Sequence, residues 1–191
     1  MPPQPTAAIL SALNVTKSFG AQPILSNVSL TVHEGDRIGL IGRNGCGKST
    51  FMSIISGIEL PTDGKITRQD GMRVVMLDQQ ATASPQETVG EVLARAAEDV
   101  RALLAQYTAT MERLAASPHG SPEHARLEHQ AALLQHEVEI ADAWNLDEDL
   151  KRVTVALDLP APDRKMATLS GGEGRRVDLA AALVRHPDLL L

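Results

Sequence analysis

The sequence has very few aromatic residues, a single cysteine and no long apolar run. Two phenylalanines, one tyrosine and one tryptophan make up the 2% aromatic content of its 191 residues. The lone cysteine, Cys46, excludes a disulfide within the chain and is typical of a reducing compartment, so we expect a cytoplasmic protein. No apolar run approaches the roughly 18 residues that a membrane-spanning helix needs, so we expect no membrane partner.

The charge balance is weakly acidic. The chain carries 24 Asp and Glu against 18 Lys and Arg, a formal net charge of −6, and 43% of its residues are apolar. Because nucleic-acid binding relies on basic side chains that neutralise phosphates, this composition gives no indication of specific DNA binding. The length suits one domain with a real core.

The stretch that organises the chain is residues 42–49, which read G-R-N-G-C-G-K-S. This is the pattern G-x-x-x-x-G-K-S of a phosphate-binding loop, and its flanks suit the motif. The preceding residues 37–41, R-I-G-L-I, predict a strand buried on both faces. Apolar residues from Phe51 to Ile55, followed by Gly57, predict a helix that ends at a glycine cap.

The residue types of this loop fit phosphate chemistry. Glycines let successive backbone N–H groups turn inward around phosphate oxygens, and the helix that starts there favours an anion. Lys48 would reach the β- and γ-phosphates of a nucleotide, and the Ser49 hydroxyl would ligate Mg²⁺. Cys46 occupies a free position of the pattern, so we interpret it as a small tolerated side chain rather than a catalytic thiol.

Short strands flank the loop. Residues 8–14 predict a first strand, and residues 24–32 alternate apolar and polar side chains, which predicts a half-buried antiparallel strand. Further strands are predicted at 65–67 and 73–77. Phe19, between the first two strands, could stack on an adenine ring or could be an ordinary core residue. Gln79 follows the strand at 73–77, where a glutamine could contact a metal-bound water.

From Thr88 the period changes to that of helices. Spacing of three and four residues predicts two helices, over 88–114 and 121–141, that pair as an antiparallel hairpin, and a third helix follows near 146–157. Ser121 is predicted to cap the second helix. Residues 91–149 contain 12 acidic and 4 basic residues, a difference of −8. We interpret the four histidines of this segment as solvated surface residues rather than metal ligands: His119, His124, His129 and His136.

A second glycine-rich loop follows at residues 169–173, which read L-S-G-G-E. Ser170 is predicted to cap a helix that ends near Arg185, and the bare N–H groups of Gly171 and Gly172 could bind another anion. A small domain cannot aim both loops at the same phosphates. This loop must therefore serve a ligand outside the domain or a second copy.

These two motifs resemble those of ABC ATPases. Residues 42–50 are similar to the Walker A motif of that family, and residues 169–173, ahead of R-R-V at 175–177, resemble its signature motif. The resemblance implies an α/β P-loop NTPase fold: a core sheet, an antiparallel β subdomain and an inserted helical hairpin arm. It also implies ATP and Mg²⁺ as cofactors.

The resemblance also assigns roles to residues. The implied ATP-binding residues are Phe19, for the adenine ring, with Gly42, Asn44, Gly45, Cys46, Gly47, Lys48, Ser49 and Thr50. The implied catalytic residues are Lys48 and Gln79, and the implied Mg²⁺ ligands are Ser49 and Gln79, with Gln80 as a competing register for the glutamine. The signature residues Ser170, Gly171, Gly172 and Glu173 are implied to contact ATP bound to a second ABC domain.

Within this family the chain is most similar to the ABC-F group, soluble proteins with two such domains that act on the ribosome. Gln79 and Leu169 lie 90 positions apart, which leaves room for the arm that the group carries. Trp144 ahead of a short helix, and the form of residues 15–42, also fit the group. The resemblance implies a ribosome partner and ATP hydrolysis. Alternatives are the ATPase subunit of a membrane transporter and a remnant that binds nucleotide poorly.

Two features depart from the family pattern. The acidic arm is a poor clamp for RNA phosphates, and the chain stops where the Walker B strand begins, so the core is expected to be incomplete. We therefore expect one partial domain, with a core at 8–87 and 160–191 and an arm at 88–159, that binds ATP weakly and hydrolyses it little. The second ABC domain would come from the same protein or from another copy.

Overall fold

The computed structural model describes residues 7–20, 22–78 and 83–191. The chain divides into two compact units: one reaches to Met76 and includes Pro187–Leu191, and the other is Leu77–His186. The expected mixed α/β architecture, with an antiparallel sheet and a helical hairpin, is confirmed. None of the helices in the described ranges is both long and apolar enough to cross a bilayer.

The first unit is built on a three-stranded antiparallel sheet. Strands β1 (Ala8–Phe19), β2 (Gln22–His33) and β3 (Asp63–Arg68) lie in the order β2-β1-β3. The alternation predicted for the second strand is confirmed, since Val28, Leu30 and Val32 are half-buried or buried while Asn27, Ser29 and Thr31 are exposed. Helix α1 (Lys48–Ser56) covers the apolar face of this sheet, and the two share one buried cluster with Leu10, Val15 and Phe51 among its members.

The prediction of a buried strand over residues 37–41 is wrong. These residues form no strand, and they are exposed, Ile41 by 95%. An apolar sequence makes a strand only where a neighbouring strand takes its N–H and C=O groups, and the described residues place none beside this segment. The turn that leads into it, at 33–36, is closed by the Asp36 carboxylate, which accepts from the His33 N–H at 2.8 Å.

The strand predicted at 73–77 is much shorter than expected. Only β4 (Val74–Val75) forms, and it pairs in parallel with β5 (Leu189–Leu190). The Asp188 carboxylate accepts from the backbone N–H of Arg73 at 2.7 Å, which fixes the register of the pair.

The second unit is helical. It contains α2 (Val89–Ala96), α3 (Glu98–Ala116), α4 (Pro122–Ile140), α5 (Leu146–Ala156) and α6 (Gly171–Leu183). The single helix predicted over 88–114 is therefore wrong, because it is divided at Ala97 into α2 and α3. Thr88 and Glu91 form a capping box at the start of α2, which a T-x-x-E pattern in the sequence could have revealed.

Helices α3 and α4 form the predicted antiparallel hairpin. Ser121 caps α4 as expected, since its hydroxyl accepts from the backbone N–H of His124 at 3.0 Å. The predicted apolar positions of α4, from Leu127 to Val138, are buried. His124 is a correction, because it is 8% exposed rather than solvated: its ring hydrogen-bonds Ser117 at 2.7 Å and His119 at 3.1 Å. A helical period cannot reveal that the hairpin turn folds back over this residue.

Candidate functional site

The glycine-rich loop of the first unit has the backbone that its sequence requires. Gly45 and Gly47 have positive φ angles of 82° and 92°, which L-residues with side chains rarely adopt. Gly47 also has no room for a side chain, because an added Cβ would lie 2.7 Å from Leu25 Cδ2. Helix α1 begins at the next residue, Lys48, so the loop delivers the chain directly into a helix N-terminus.

Helix α1 is held in place by its buried face and by its last turn. Phe51, Ile54 and Ile55 are buried against the sheet. Gly57 ends the helix in a left-handed conformation, as predicted, and its N–H donates to the Ile54 carbonyl at 3.2 Å. The Arg68 guanidinium donates to the Ile55 carbonyl at 2.8 Å. The core therefore fixes the direction in which the helix N-terminus points.

The side chain of Lys48 turns back into the loop. Its ammonium group donates to the carbonyl oxygens of Gly42 at 2.8 Å and Arg43 at 2.9 Å, and it lies 3.9 Å from the sulfur of Cys46. An ammonium group held by two backbone carbonyls of the loop is placed to bind an anion that enters the loop. Phosphate oxygens would give the ammonium stronger, charge-assisted hydrogen bonds than these carbonyls do.

The loop residues fit a nucleotide phosphate and its Mg²⁺. Gly42 lies so close to Cys46 that an added Cβ would lie 2.6 Å from the sulfur, so the cradle depends on the bare backbone. The first turn of α1 contains no acidic residue, which leaves its N–H groups and dipole to an anion. Asn44, Cys46 and the Ser49 hydroxyl are exposed, and Thr50 is half-buried.

Phe19 lies at the end of β1 and is 53% exposed, so the core interpretation of this residue does not hold. The Lys17 ammonium lies 5.1 Å from the centre of its ring, a cation–π distance. Lys17 is itself fixed by the Glu59 carboxylate at 2.9 Å and the Leu60 carbonyl at 2.7 Å. The ring of Phe19 is thus an accessible aromatic surface beside a lysine that is itself held by two contacts.

The second glycine-rich loop, in the other unit, starts α6 with a capping box. The Ser170 hydroxyl accepts from the backbone N–H of Glu173 at 3.3 Å, and the Glu173 carboxylate accepts from the backbone N–H of Ser170 at 2.7 Å. The predicted cap is confirmed. Ser170, Gly171 and Gly172 are exposed, and a Cβ added at either glycine would meet nothing within 4 Å. The helix start therefore presents bare backbone to the surroundings.

Glu173 is half-buried, and both of its carboxylate oxygens have partners. The backbone and hydroxyl of Ser170 and the guanidinium of Arg164 lower the pKa of Glu173 from 4.5 to about 2. Arg164 Nη1 lies 2.8 Å from Glu173 Oε1, and Arg164 Nη2 donates to the Thr168 carbonyl at 3.0 Å. Arg164 was not singled out from the sequence, because no local pattern links it to the loop that begins five residues later.

Helix α6 also contacts the segment that precedes the predicted glutamine. The Arg175 guanidinium donates to the backbone carbonyl of Asp78. Gln79 and the competing Gln80 lie outside the described residues, so their roles stay predictions. Asp178, one turn further along α6, is buried, and burial raises the pKa of its carboxyl while the charge of Arg175 opposes the shift.

Comparisons with known proteins agree with the sequence motifs. The profile of the ABC transporter family matches residues 25–191. The chain is 33% identical over 183 residues to the energy-dependent translational throttle protein EttA of Mycobacterium tuberculosis, covering 96% of this chain and 32% of EttA. It is 35% identical over 184 residues to the tylosin resistance ATP-binding protein TlrC of Streptomyces fradiae, covering 95% of this chain and 33% of TlrC.

A solved structure supports the fold. The ATP-binding subunit of an ABC transporter superposes with a TM-score of 0.66 at 20% sequence identity, covering 95% of this chain and 64% of that subunit. The chain spans about a third of the length of the curated relatives that it matches. EttA and TlrC are ABC-F proteins. The chain therefore belongs to the ABC ATPase family, and within that family to the ABC-F group.

Proposed function

We propose that this chain binds ATP with Mg²⁺ and that the protein which carries it couples ATP binding and hydrolysis to action on the ribosome. The observation that supports the first part is the Lys48 ammonium, held inside a glycine loop at a helix N-terminus. The second part is supported by similarity to two ABC-F proteins whose names refer to translation and to tylosin resistance.

In the proposed site, the glycine-rich loop at 42–49 and residues that follow two strands bind different parts of the nucleotide. Lys48 and the backbone N–H groups at the start of α1 would bind the β- and γ-phosphates, and Phe19 would stack on the adenine. Ser49 and Gln79 would hold Mg²⁺, which neutralises charge on the phosphate oxygens. Gln79 would also sense the γ-phosphate, which makes it and Lys48 the proposed catalytic residues.

We propose that the signature loop serves a second ABC domain. Ser170, Gly171, Gly172 and Glu173 would contact the γ-phosphate of an ATP bound to that domain, which lies elsewhere in the same protein or in another copy. The exposure of Ser170 and both glycines supports this role, since helix N-termini bind anions through their free N–H groups. Hydrolysis would then open the two-domain sandwich and release the protein from its target.

The domain organisation that we propose has a nucleotide-binding core at 8–87 and 160–191 and a helical arm at 88–159. We further propose that the 191-residue polypeptide by itself binds ATP weakly and hydrolyses it slowly. The resemblance to ABC ATPases implies that a leucine run like 189–191 leads into an Asp-Glu pair, whose Glu would be the general base of hydrolysis. Loss of a general base costs about 10²–10⁴ in rate.

The proposed nucleotide activity is tested by steady-state phosphate release from the purified 191-residue polypeptide. The rate is compared with that of a complete ABC-F domain under the same conditions. We expect a rate at least about 100-fold lower than that of the complete domain. An equal rate would refute the proposed impairment. A polypeptide that neither binds nor hydrolyses ATP, while remaining folded, would contradict the proposed site.

The test of the ribosome half is co-sedimentation of the protein with purified ribosomes in the presence of a non-hydrolysable ATP analogue. We expect more protein in the ribosome pellet with the analogue than with ADP. The alternative is an ATPase subunit of a membrane transporter, and the likeness to such a subunit at 20% identity shows the fold only. It predicts instead that the protein co-purifies with a membrane permease and not with ribosomes.

A further inference from the structure

In the helical unit, three metal-ligand side chains converge where the end of α4, the start of α5 and the turn after α6 meet. Asp142 precedes a short helical turn after α4, Asp149 is in α5, and His186 follows α6. One ligand atom of each lies within 4.8 Å of the other two. All three belong to the same compact unit, in which α3, α4, α5 and the end of α6 share one buried cluster.

The side chain of Asp149 is the main reason to infer a ligand. It is buried, with the residue 5% exposed, and its Oδ2 has no hydrogen-bond partner among the described residues. His186 Nε2 is likewise inaccessible and lacks a hydrogen bond in the described part of the chain. Because a buried unpaired carboxylate oxygen is costly, its site is suited to a cation.

The two atoms that lack a hydrogen bond lie close enough to each other to share one ion. Asp149 Oδ2 and His186 Nε2 are 3.1 Å apart, although their mutual orientation does not make a hydrogen bond. Ligand atoms about 2.1 Å from a tetrahedral zinc ion lie about 3.4 Å from one another. The distance therefore fits two ligands of one ion as well as it fits an ion pair with a protonated histidine.

The remaining contacts resemble those of groups that orient metal ligands. Arg152 Nη1 lies 2.8 Å from Asp149 Oδ1, which leaves Oδ2 turned towards His186. Asn145 Nδ2 donates to Asp142 Oδ1 at 2.8 Å. Metal-binding carboxylates are commonly held through their second oxygen in this way. His186 is 25% exposed at its side chain, which gives an ion a route of entry.

We propose that Asp142, Asp149 and His186 form a structural site for a divalent transition-metal ion, with Zn²⁺ as its test ligand. One imidazole and two carboxylates suit zinc better than Mg²⁺, which prefers oxygen ligands alone. Water would complete the coordination. The ion would fasten the end of α4 and the start of α5 to the turn after α6, the helix that begins at the signature loop.

The experiment is a calorimetric titration of the chelator-treated 191-residue chain with ZnSO₄, repeated with Co²⁺ to record the visible absorption of a bound metal. We expect one Zn²⁺ per chain and a melting temperature that rises with Zn²⁺, because an ion that binds only the folded state stabilises it. His186→Gln and Asp142→Asn should each weaken binding at least about tenfold. His129→Gln, on an exposed position of α4, is the matched control and should bind as the parent chain does.

If His186→Gln does not fold, the zinc affinity of Asp142→Asn tests the proposal. Equal zinc affinity in the parent chain and in either site variant would overturn the proposal. If His119→Gln loses zinc binding instead, the ion lies at His119 and His124, near the turn between α3 and α4. That result would also overturn the proposal. A parent chain that binds no Zn²⁺ would reduce the cluster to an ion pair between Asp149 and His186.

Discussion

Arg164 Nη1 lies 2.8 Å from Glu173 Oε1, and this contact stabilises the capping box at the start of α6. The same carboxylate accepts from the Ser170 N–H at 2.7 Å through its other oxygen. The side chain of Glu173 is therefore engaged within its own unit. The contact proposed between the signature loop and ATP therefore depends most on the exposed backbone of Gly171 and Gly172.

This arrangement makes the stability of the second unit depend on pH in a definite direction. The pKa of Glu173 is lowered to about 2 in the folded chain, against 4.5 ordinarily. Its contribution to the free energy of unfolding is thus fully present above pH 4.5 and is lost as the pH falls towards 2. We expect the stability difference between the parent chain and Glu173→Gln to be largest near neutral pH and to shrink below pH 4.5.

Chemical denaturation at a series of pH values checks this expectation. Glu137→Gln, on an exposed position of α4, is the charge-matched control. In Arg164→Gln, an NMR titration should show a higher pKa for Glu173 than in the parent chain. A pKa near 4.5 in the parent chain would show that the capping box does not form.

Gly174 is a weak point in helix α6. It lies inside the helix, and an added Cβ would meet nothing within 4 Å. Gly174→Ala removes the conformational freedom of glycine from the unfolded chain without a clash in the folded one. We expect the free energy of unfolding to rise by about 0.5–1 kcal/mol, measured by urea denaturation. A loss of stability would mean that the space around this position is occupied.

Replacement of Gly47 by alanine should destabilise the chain, in contrast to the same replacement at Gly174. Its φ of 92° and the 2.7 Å approach of Leu25 to an added Cβ make Gly47→Ala strained and crowded. We expect it to lower the free energy of unfolding by about 1–3 kcal/mol. Gly45→Ala is the matched comparison, since Gly45 has a φ of 82° but open space around it, and it should cost less. Equal losses in the two variants would show that the crowding at Gly47 is relieved.

Removal of the charge on Asp178 should raise the stability of the chain at neutral pH. Burial raises the pKa of this carboxyl, so its contribution to stability is fully present below the ordinary value of 3.8 and is lost as the pH rises through the folded pKa. Asp178→Asn should therefore be more stable than the parent chain at pH 7 and should lose that advantage below pH 3.8. Thermal unfolding at pH 7 and pH 3.5 checks both halves. A less stable variant at pH 7 would show that the carboxylate has a partner worth more than its burial costs.

Local sequence signals predicted the ends of elements well. Gly57, Ser121 and Ser170 act where they were expected, because capping depends on a side chain and the few N–H or C=O groups beside it. The phosphate-loop backbone followed from its glycines for the same reason.

Features that depend on distant residues were not predictable. Residues 37–41 read as a strand, yet a strand needs a hydrogen-bonding neighbour that a local pattern cannot reveal. The break at Ala97 leaves the apolar spacing intact, so periodicity did not show it. The burial of His124 and the Arg164 brace on Glu173 result from turns that fold back over a helix.

The affinity of the chain for ATP with Mg²⁺, measured by calorimetry on the parent chain and on Lys48→Ala, tests the proposed site most directly. Lys65→Ala, an exposed lysine of β3 in the same unit, is the charge-matched control. We expect Lys48→Ala to weaken binding at least about tenfold, because a hydrogen bond to a charged group is worth about 1.5–3 kcal/mol, while Lys65→Ala binds as the parent chain does. Equal affinities in the parent chain and Lys48→Ala would show that the glycine loop does not hold the phosphates.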